Sequence, residues 1–272
     1  MRAIIKKNIN GWIIVDKQAG ITSRQVVTKI SKILNLKKVG HGGTLDPLAT
    51  GILPIAIGEA TKVISLVQSK EKKYAFIIKW GVSTETDDSE GKVLEISKAR
   101  PTHKEITSIL NCFIGNVFQK PPLYSAIKIN GQRSYKLARQ KIEIEHKLRK
   151  IKVYNLTLKK IIDVNSAEFE VTCGKGTYVR SLARDIAEKL NTKGHIMSLR
   201  RLSVGPFNEK DTIFIDFSKE IIHSPSVLDK ILPIEAALDD IPALPLTKHE
   251  ARKLKLGQKL DFESLEFKKK FI

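Results

Sequence analysis

The strongest constraint on the fold lies in residues 167–190, where the spacing of the apolar residues changes from every second position to that of a helix. Residues 167–173 alternate, with Ala167, Phe169, Val171 and Cys173 on one side, which predicts a half-buried strand. After the turn sequence GKGT at 174–177, apolar residues recur at helical spacing at Val179, Leu182, Ile186 and Leu190. Arg180 and Arg184, four residues apart, are predicted to share another face of this helix.

Further predicted elements lie on both sides of a glycine-rich loop. Residues 11–16 and 74–80 are predicted strands, the second with its aromatic side chains on one face, and residues 51–57 form an apolar run. Thr22 and Gln25 form a capping box for a helix that continues to Leu34. Strands and helices follow one another without a regular βαβ period, which favours an α+β fold over a doubly wound sheet.

The charge of the chain points to a polyanionic partner. It has 48 Lys and Arg residues against 29 Asp and Glu residues, a net charge of +19, which attracts nucleic acid. An AT-rich coding sequence also produces many lysines, so charge alone leaves the partner open. Cys112 and Cys173 are far apart, which argues against a disulfide framework or structural zinc. No apolar run reaches the ~18 residues of a membrane span and no secretory signal is visible, so a cytoplasmic protein is expected.

The loop at residues 40–47, GHGGTLDP, holds the best candidate for a catalytic side chain. Its Asp46 follows small residues and precedes Pro47, in a setting where backbone can approach a ligand closely. An Asp-Pro pair also commonly begins a turn with no further role. The loop by itself does not decide between these two interpretations.

Six segments, in order, resemble the TruB class of bacterial tRNA pseudouridine synthases. They are DKQAGITS (16–23), GHGGTLDPLATGILP (40–54), KKYAFIIKWG (72–81), QKPPLYSAIKINGQRSYKLAR (119–139), GKGTYVRSLARD (174–185) and GHIMSLRRLSVGPF (194–207). The resemblance covers nearly all of residues 11–207. It implies the pseudouridine synthase fold, an α+β architecture in which helices flank a mixed, largely antiparallel sheet that carries an inserted RNA-binding thumb loop.

The resemblance implies isomerisation of uridine 55 in the T-loop of tRNA to pseudouridine, with Asp46 as the nucleophile. A carboxylate can attack and leave again, which divides one difficult isomerisation into two easier steps. Whether it attacks the ribose or the base stays open. Arg180 matches the arginine that pairs with this aspartate and favours its charged form. Tyr74 matches the tyrosine that stacks on the target base and is a candidate acceptor of its C5 proton.

Other matching positions are implied to hold the RNA. Tyr178 and Leu199 match the lining of the uridine pocket, and flipped bases are commonly held between aromatic and apolar side chains. His41 matches a histidine that stacks where the flipped base had been, and Lys17 matches a lysine that supports the active-site loop. In the thumb loop at residues 121–150 the candidate RNA contacts are Lys128, Arg133 and Arg139. The alternative for these three is a solvated charge run.

The expected organisation is a catalytic domain at residues 1–240 and a partial PUA-like segment at residues 241–272. Two departures from the family pattern are Gln18, where proline is frequent, and Lys141, where a glycine commonly follows the Ala-Arg pair. No cofactor or metal is expected, since the isomerisation needs no redox step or group donor and no dinucleotide or metal-ligand pattern is present. The expected partner is the T-arm of tRNA, bound by a monomer that needs no protein partner.

Three alternatives stay open at this point. A non-catalytic protein that binds or folds tRNA would keep the same scaffold, although an intact set of Asp46, Arg180 and Tyr74 argues against it. A metal-dependent nuclease would use acidic residues of the segment after the strand predicted at 74–80, namely Asp87, Asp88 and Glu90. The third alternative is a synthase that acts on another uridine or needs guide-RNA partners.

Overall fold

A computed structural model describes residues 9–215, 217, 227–243 and 245–260. Within these residues the strands are β1 Gly11–Lys17, β2 Val39–His41, β3 Thr50–Ile57, β4 Lys72–Trp80, β5 Val82–Thr84, β6 Val93–Ile96, β7 Gly115–Gln119, β8 Lys128–Ile129, β9 Gln132–Arg133, β10 Arg149–Asp163, β11 Ser166–Cys173, β12 Gly194–Val204, β13 Phe207–Asn208 and β14 Thr212–Phe214. The helices are α1 Ser23–Leu34, α2 Ile64–Ser69, α3 His103–Ile109, α4 Ser134–Arg139, α5 Val179–Lys189 and α6 Lys248–Lys255. None of the described helices is long and apolar enough to cross a membrane.

One mixed sheet organises the larger part of the chain. Its strands lie in the order β14-β1-β3-β12-β4-β11-β10-β7, with β2 paired to β3 and β13 to β12. Only two of the described pairs are parallel, β1 with β14 and β3 with β12. The prediction of an α+β fold with a mixed, largely antiparallel sheet is therefore confirmed.

The centre of the sheet follows from the alternation of its apolar residues. In β4 the side chains of Phe76, Ile78 and Trp80 are buried, and across the β4–β11 pair Phe76 lies opposite Phe169. The rings of these two phenylalanines stack at 5.4 Å, and Trp80 meets Phe169 edge-on at 6.1 Å. Such aromatic pairs add to the stabilisation gained from buried area. The strand predicted at residues 74–80 is thus a central strand, extended by two residues at its start.

Helix α1 begins as its sequence predicts. The Thr22 side chain accepts from the backbone N–H of Gln25, and the Gln25 side chain accepts from the N–H of Thr22, so the capping box is present. The apolar stripe then buries Val26, Ile30 and Leu34. The helix ends at Asn35, which takes a left-handed conformation with φ of 50°, as residues after a helix often do.

One glycine lies where β3 pairs with β12. Gly51 has φ of +99°, and a Cβ atom there would lie 2.2 Å from the carbonyl oxygen of Arg201. Glycine permits both the backbone conformation and the close approach. The strand that follows the Asp46 loop can therefore lie directly against β12.

Of the predicted insertion at 121–150, residues 121–148 lie outside the main sheet, and residues 149–150 are the start of β10. The strands β8 and β9 pair as a hairpin with Lys128 opposite Arg133, and α4 follows directly. Lys141 comes next, with φ of 57°, in a region that disfavours side chains with a Cβ. A glycine, which adopts positive φ without strain, would fit this backbone conformation better than Lys141 does.

We predict that Lys141→Gly stabilises the protein. A non-glycine residue in the left-handed region costs about 1 kcal/mol, so the free energy of unfolding should rise by up to about that amount. Lys141→Ala keeps the Cβ and serves as the control, with an expected change near zero. Urea denaturation of the three proteins measures the difference, and equal stability of the glycine and alanine variants would contradict the prediction.

Contacts divide the chain into two units, residues 1–237 and residues 238–272. The sequence placed this boundary after residue 240. In the second unit, α6 begins at a capping box formed by Thr247 and Glu250. Much of the partial PUA-like segment predicted at 241–272 lies outside the described residues, namely residue 244 and residues 261–272.

Candidate active site

The Asp46 loop connects β2 to β3 and is fixed at both ends. The backbone N–H of Leu45 donates to the Ser23 hydroxyl (2.9 Å), and that hydroxyl donates back to the Leu45 carbonyl (3.2 Å). The N–H of Ala49 donates to the Asp46 carbonyl (3.1 Å), which closes a turn. The Asp46 side chain is 32% exposed. The loop therefore exposes the Asp46 carboxylate to solvent, while hydrogen bonds at Leu45 and Ala49 fix the loop backbone.

Arg180 pairs with Asp46 through two parallel hydrogen bonds. Its Nε lies 2.8 Å from one carboxylate oxygen and its Nη2 lies 3.1 Å from the other. The guanidinium also donates to the carbonyls of Thr86 (2.8 Å) and Tyr124 (3.0 Å), and its side chain is only 4% exposed. Bidentate pairs of this kind add geometric specificity as well as energy. The helical position of Arg180 in α5 thus sets the orientation of the Asp46 carboxylate.

A second aspartate shares the same guanidinium. Asp88 is 3% exposed, and its carboxylate lies 3.7 Å from Arg180 Nη1. Its other oxygen accepts from the Thr86 hydroxyl and from the N–H of Glu90 (3.0 Å). Burial disfavours the charge of Arg180, but the facing Asp46 and Asp88 carboxylates outweigh burial and raise the pKa of Arg180. The arginine therefore stays charged between two carboxylates.

The acidic segment behind this pair is engaged in ion pairs. Asp87 accepts from Arg184 Nη1 at 2.8 Å, and Asp88 faces Arg180. Burial raises the pKa of Asp87 to about 6, against the opposing effect of Arg184. Among the residues that the structure describes, no three His, Cys, Asp or Glu side chains form a group that could hold a metal ion. The arginine partners of Asp87 and Asp88 disfavour the nuclease interpretation, because a metal would have to compete with them.

Lys17 lies beneath the active-site loop. Its side chain is fully buried, and its Nζ donates to the carbonyls of Gln18 (2.8 Å), Ile21 (2.7 Å) and Pro47 (3.1 Å). Burial lowers the pKa of Lys17 to about 8, and Asp46 partly opposes this. The amine joins the end of β1 to the residue that follows Asp46, and the supporting role that the resemblance implies for it stays a prediction.

We predict that Lys17→Met destabilises the protein by about 1–3 kcal/mol, because three carbonyls lose a buried donor. Loosening of Pro47 should also displace the neighbouring Asp46, so a rate that depends on this carboxylate should fall. Thermal unfolding and the single-turnover rate measure the two effects. The exposed Lys98 provides the matched control, Lys98→Met, for which both quantities should equal those of the wild type. A Lys17→Met protein with unchanged stability and rate would contradict the supporting role.

Tyr74 and Arg201 face each other across β4 and β12. Arg201 is 1% exposed, and its guanidinium donates to the carbonyls of Ile52 (2.7 Å) and Gly43 (3.1 Å). Burial raises the pKa of Tyr74, with Arg201 acting in the opposite direction. The Tyr74 phenol is thus protonated at neutral pH.

The remaining predicted pocket residues lie on three elements. His41 ends β2, and burial followed by the charge of Arg201 lowers its pKa, so its ring is neutral at pH 7. Tyr178 precedes the first residue of α5, two positions before Arg180. Leu199 is buried in β12 opposite Phe76, two positions before Arg201. His41 thus lies where the Asp46 loop begins, Tyr178 lies where the helix of Arg180 begins, and Leu199 lies on the strand of Arg201.

The predicted RNA contacts lie on the insertion rather than on the sheet. Lys128 and Arg133 are exposed on the β8–β9 hairpin, and Arg139 is exposed at the end of α4 with its guanidinium 5.8 Å from the Tyr135 ring centre. All three are thus presented to solvent from one small substructure.

Three residues of this site did not stand out in the sequence. Arg201 occupies a buried strand position two residues after Leu199. Since residues two apart in a strand share a face, a charged residue on the same face as a buried leucine was the sequence feature that could have indicated it. Tyr124 contributes a backbone carbonyl to Arg180, for which the side chain gives no signal. Gln119 hydrogen-bonds the backbone of Tyr178, a contact between residues 59 positions apart that depends on the folded chain.

Comparison with known proteins agrees with this geometry. Residues 31–179 match the N-terminal domain of the TruB family of pseudouridylate synthases, and residues 180–239 match the C-terminal domain of tRNA pseudouridylate synthase B. The tRNA pseudouridine synthase B of Rhodospirillum rubrum is 49% identical over 250 residues, which cover 92% of this chain and 81% of the relative. That of Caulobacter sp. (strain K31) is 45% identical with the same coverage.

Two solved structures share the fold. A chain of a Cbf5-Nop10-Gar1 complex has a TM-score of 0.70 and 29% identity, over 92% of this chain and 68% of its own. A chain from an H/ACA RNP bound to a substrate RNA containing 2′-deoxyuridine has a TM-score of 0.68 and 27% identity, over 92% and 67%. The fold and the site thus define a pseudouridine synthase. The chain belongs to the TruB family of these enzymes.

Proposed function

We propose that this enzyme converts uridine 55 in the T-loop of tRNA to pseudouridine with Asp46 as its nucleophile. The observation that carries the proposal is the partly exposed Asp46 carboxylate held by two hydrogen bonds from the buried Arg180. Relatives that share 45–49% of their residues with this chain are named tRNA pseudouridine synthase B, which supports tRNA as the substrate.

The reaction rearranges bonds without a cofactor. The bond from ribose C1′ to uracil N1 breaks, a bond from C1′ to uracil C5 forms, and the proton on C5 is lost while N1 gains one. Asp46 forms a covalent ester with the substrate, at the ribose or at the base, and leaves when the new bond is complete. Arg180 keeps the carboxylate in one orientation during both steps, which reduces the entropy cost of reaching the transition state.

The aromatic residues hold the base rather than ionise. The raised pKa of Tyr74 leaves a neutral phenol at rest. This suits stacking on a flipped uracil and weakens the alternative role of Tyr74 as acceptor of the C5 proton. The neutral ring of His41 is similarly suited to stacking in the space that the flipped base leaves. Tyr178 and Leu199 complete the uridine pocket in this proposal.

A basic groove extends from Tyr178 and is suited to RNA phosphates. Its volume is about 600 Å³ and its lining includes Arg149, Lys150 and Lys175 but no carboxylate. The groove lies between β10, the 174–178 turn and α2. In this proposal the RNA strand that leaves the uridine pocket enters the groove. The insertion with Lys128, Arg133 and Arg139 supplies a second basic surface. Both support polyanion binding.

We predict that Lys150→Glu with Lys175→Glu weakens tRNA binding and reduces its salt dependence. Each lost phosphate contact should lower the slope of log K against log salt by roughly 0.7–0.9. Lys128→Glu with Arg133→Glu should behave similarly if the insertion contacts the backbone. The control pair Lys32→Glu with Lys98→Glu changes net charge equally, away from both surfaces. Filter binding across about 50–200 mM salt measures the slopes, and equal slopes for all pairs would contradict the proposal.

The experiment that tests the function maps pseudouridine in a tRNA transcript incubated with the purified protein alone. Modification of uridine 55 and of no other uridine is expected, and a transcript with cytidine at that position should stay unmodified. Turnover by the purified protein alone would also support action without a protein partner or guide RNA. Salt-sensitive tRNA binding without any modification would instead favour the non-catalytic tRNA-binding protein.

A further inference from the structure

Gln119 is a buried polar residue that the proposed chemistry does not use. It ends β7 and is 3% exposed. Its Oε1 accepts from the backbone N–H of Tyr178 (2.9 Å), and its Nε2 donates to the Tyr178 carbonyl (3.1 Å). One side chain thus satisfies both backbone groups of one residue, as a neighbouring strand would. Because the N–H needs an acceptor and the carbonyl a donor, the backbone fixes the orientation of the amide.

Tyr178 occupies a position from which this contact reaches the catalytic pair. It has extended backbone, with φ of −100° and ψ of 110°, and no side chain caps the helix that follows it. Its carbonyl also accepts from Leu182 N–H at 3.0 Å in the first turn of α5. Arg180 lies within that turn. A displacement of Tyr178 would therefore move both the pocket aromatic and the guanidinium that holds Asp46.

The same segment joins the insertion to α5 at two further points. Arg184 donates to the carbonyl of Lys120 at 2.8 Å, and Arg180 donates to the carbonyl of Tyr124 at 3.0 Å. Gln119 and Lys120 lead directly into the insertion, and Tyr124 lies near its start. Residues 119–124 are thus hydrogen-bonded to two positions of α5, Arg180 and Arg184, and to its N-cap residue Tyr178.

We propose that Gln119 is a positioning residue that holds Tyr178, and through it Arg180, in register with the insertion. The inference rests on the proposed function, because its readout is the rate of pseudouridine formation. A misplacement of about 1 Å can cost about 100-fold in rate. Loss of the amide should therefore lower the single-turnover rate by about 10–100-fold at saturating tRNA, with a change in tRNA affinity of less than about threefold.

The test uses Gln119→Glu at several pH values. When ionised, the introduced carboxylate can accept from the Tyr178 N–H but repels the Tyr178 carbonyl. When protonated, it supplies one donor and one acceptor in nearly the shape of glutamine. The rate relative to wild type should therefore be low at about pH 8.5 and rise at least about tenfold toward about pH 5 as the carboxyl protonates. The wild type at each pH corrects for the titration of other groups.

The charges around this position set the range of the titration. Arg149 lies opposite Gln119 across the β7–β10 pair, Lys120 follows it in the chain, and Arg180 and Asp46 lie beyond Tyr178. The cations hold the introduced carboxyl ionised to lower pH, whereas burial and Asp46 act in the opposite direction. A series down to about pH 5 covers both effects.

Two further variants separate positioning from general stability. Gln119→Met keeps the shape without either hydrogen bond, so its relative rate should be low at every pH. Val117→Ala, in the same strand, destabilises by loss of packing alone and should keep the wild-type rate. If Gln119→Met fails to fold, the Gln119→Glu titration remains decisive.

The outcomes distinguish this inference from the proposed function. A pH-dependent recovery by Gln119→Glu alone supports the positioning role. A flat relative rate for Gln119→Glu, or an equal loss of rate in Val117→Ala, would overturn it while the proposed function stands. An inactive wild type would instead refute the proposed function.

Discussion

Replacement of Arg180 by lysine is expected to slow pseudouridine formation by about 10²–10³-fold, comparable to the loss of an oriented electrostatic group in other enzymes. The guanidinium makes two bonds to Asp46 and one each to the carbonyls of Thr86 and Tyr124. An ammonium is a point charge that cannot make this set. The free energy of unfolding should fall by about 1–3 kcal/mol, because buried acceptors lose their donors.

The control for this substitution is Arg200→Lys. Arg200 also makes two bonds to a carboxylate, Asp16, at 2.8 and 2.9 Å, but its side chain is 33% exposed. Exposed ion pairs contribute about 0–1 kcal/mol, so its variant should be close to wild type in rate and stability. A rate for Arg180→Lys within about threefold of wild type would show that orientation of Asp46 does not limit the reaction.

Replacement of Asp46 by asparagine is expected to lower the single-turnover rate by at least about 10⁴-fold, the scale on which loss of a nucleophile acts. The amide keeps the size of the carboxylate but cannot form the covalent ester. Arg180 retains Asp88 and two carbonyls as partners, so the variant should fold. Unchanged tRNA affinity together with the lost rate would place the defect in the chemistry.

Asp46→Glu provides a second test of position. It restores the carboxylate but adds one methylene between the backbone and the reacting oxygen, so the bidentate geometry with Arg180 is lost. The expected rate lies between those of asparagine and wild type. A rate for Asp46→Asn close to wild type would exclude the nucleophile role.

Much of the fold could be predicted because the informative patterns are local. The alternation at residues 167–173 and the Thr22–Gln25 capping box depend on neighbours within a few positions. The order of the sheet depends on distant pairing: β12 lies between β3 and β4, and Arg201 pairs with Gly51 150 positions earlier. Local patterns contain no information on such pairs.

The site likewise combines residues that local motifs indicate with contacts that depend on distant parts of the chain. The resemblance identified Asp46 and Arg180 because their motifs are distinctive. The contact between Asp88 and Arg180 forms only when the 84–91 segment meets α5. The three carbonyls surround Lys17 only when the end of β1 meets the Asp46 loop. Backbone acceptors leave no signature in side-chain identity, so such contacts require the structure.

We propose that Asp46 catalyses the change of the ribose–uracil bond from uracil N1 to uracil C5. The direct measurement is tritium release from tRNA labelled at uracil C5, with wild type and Asp46→Asn compared under the same conditions. About one tritium per tRNA with the wild type and none with Asp46→Asn is predicted, since reattachment through C5 expels that hydrogen once. Release that persists in Asp46→Asn would contradict the nucleophile role of Asp46. Absence of release in the wild type would contradict pseudouridine formation itself.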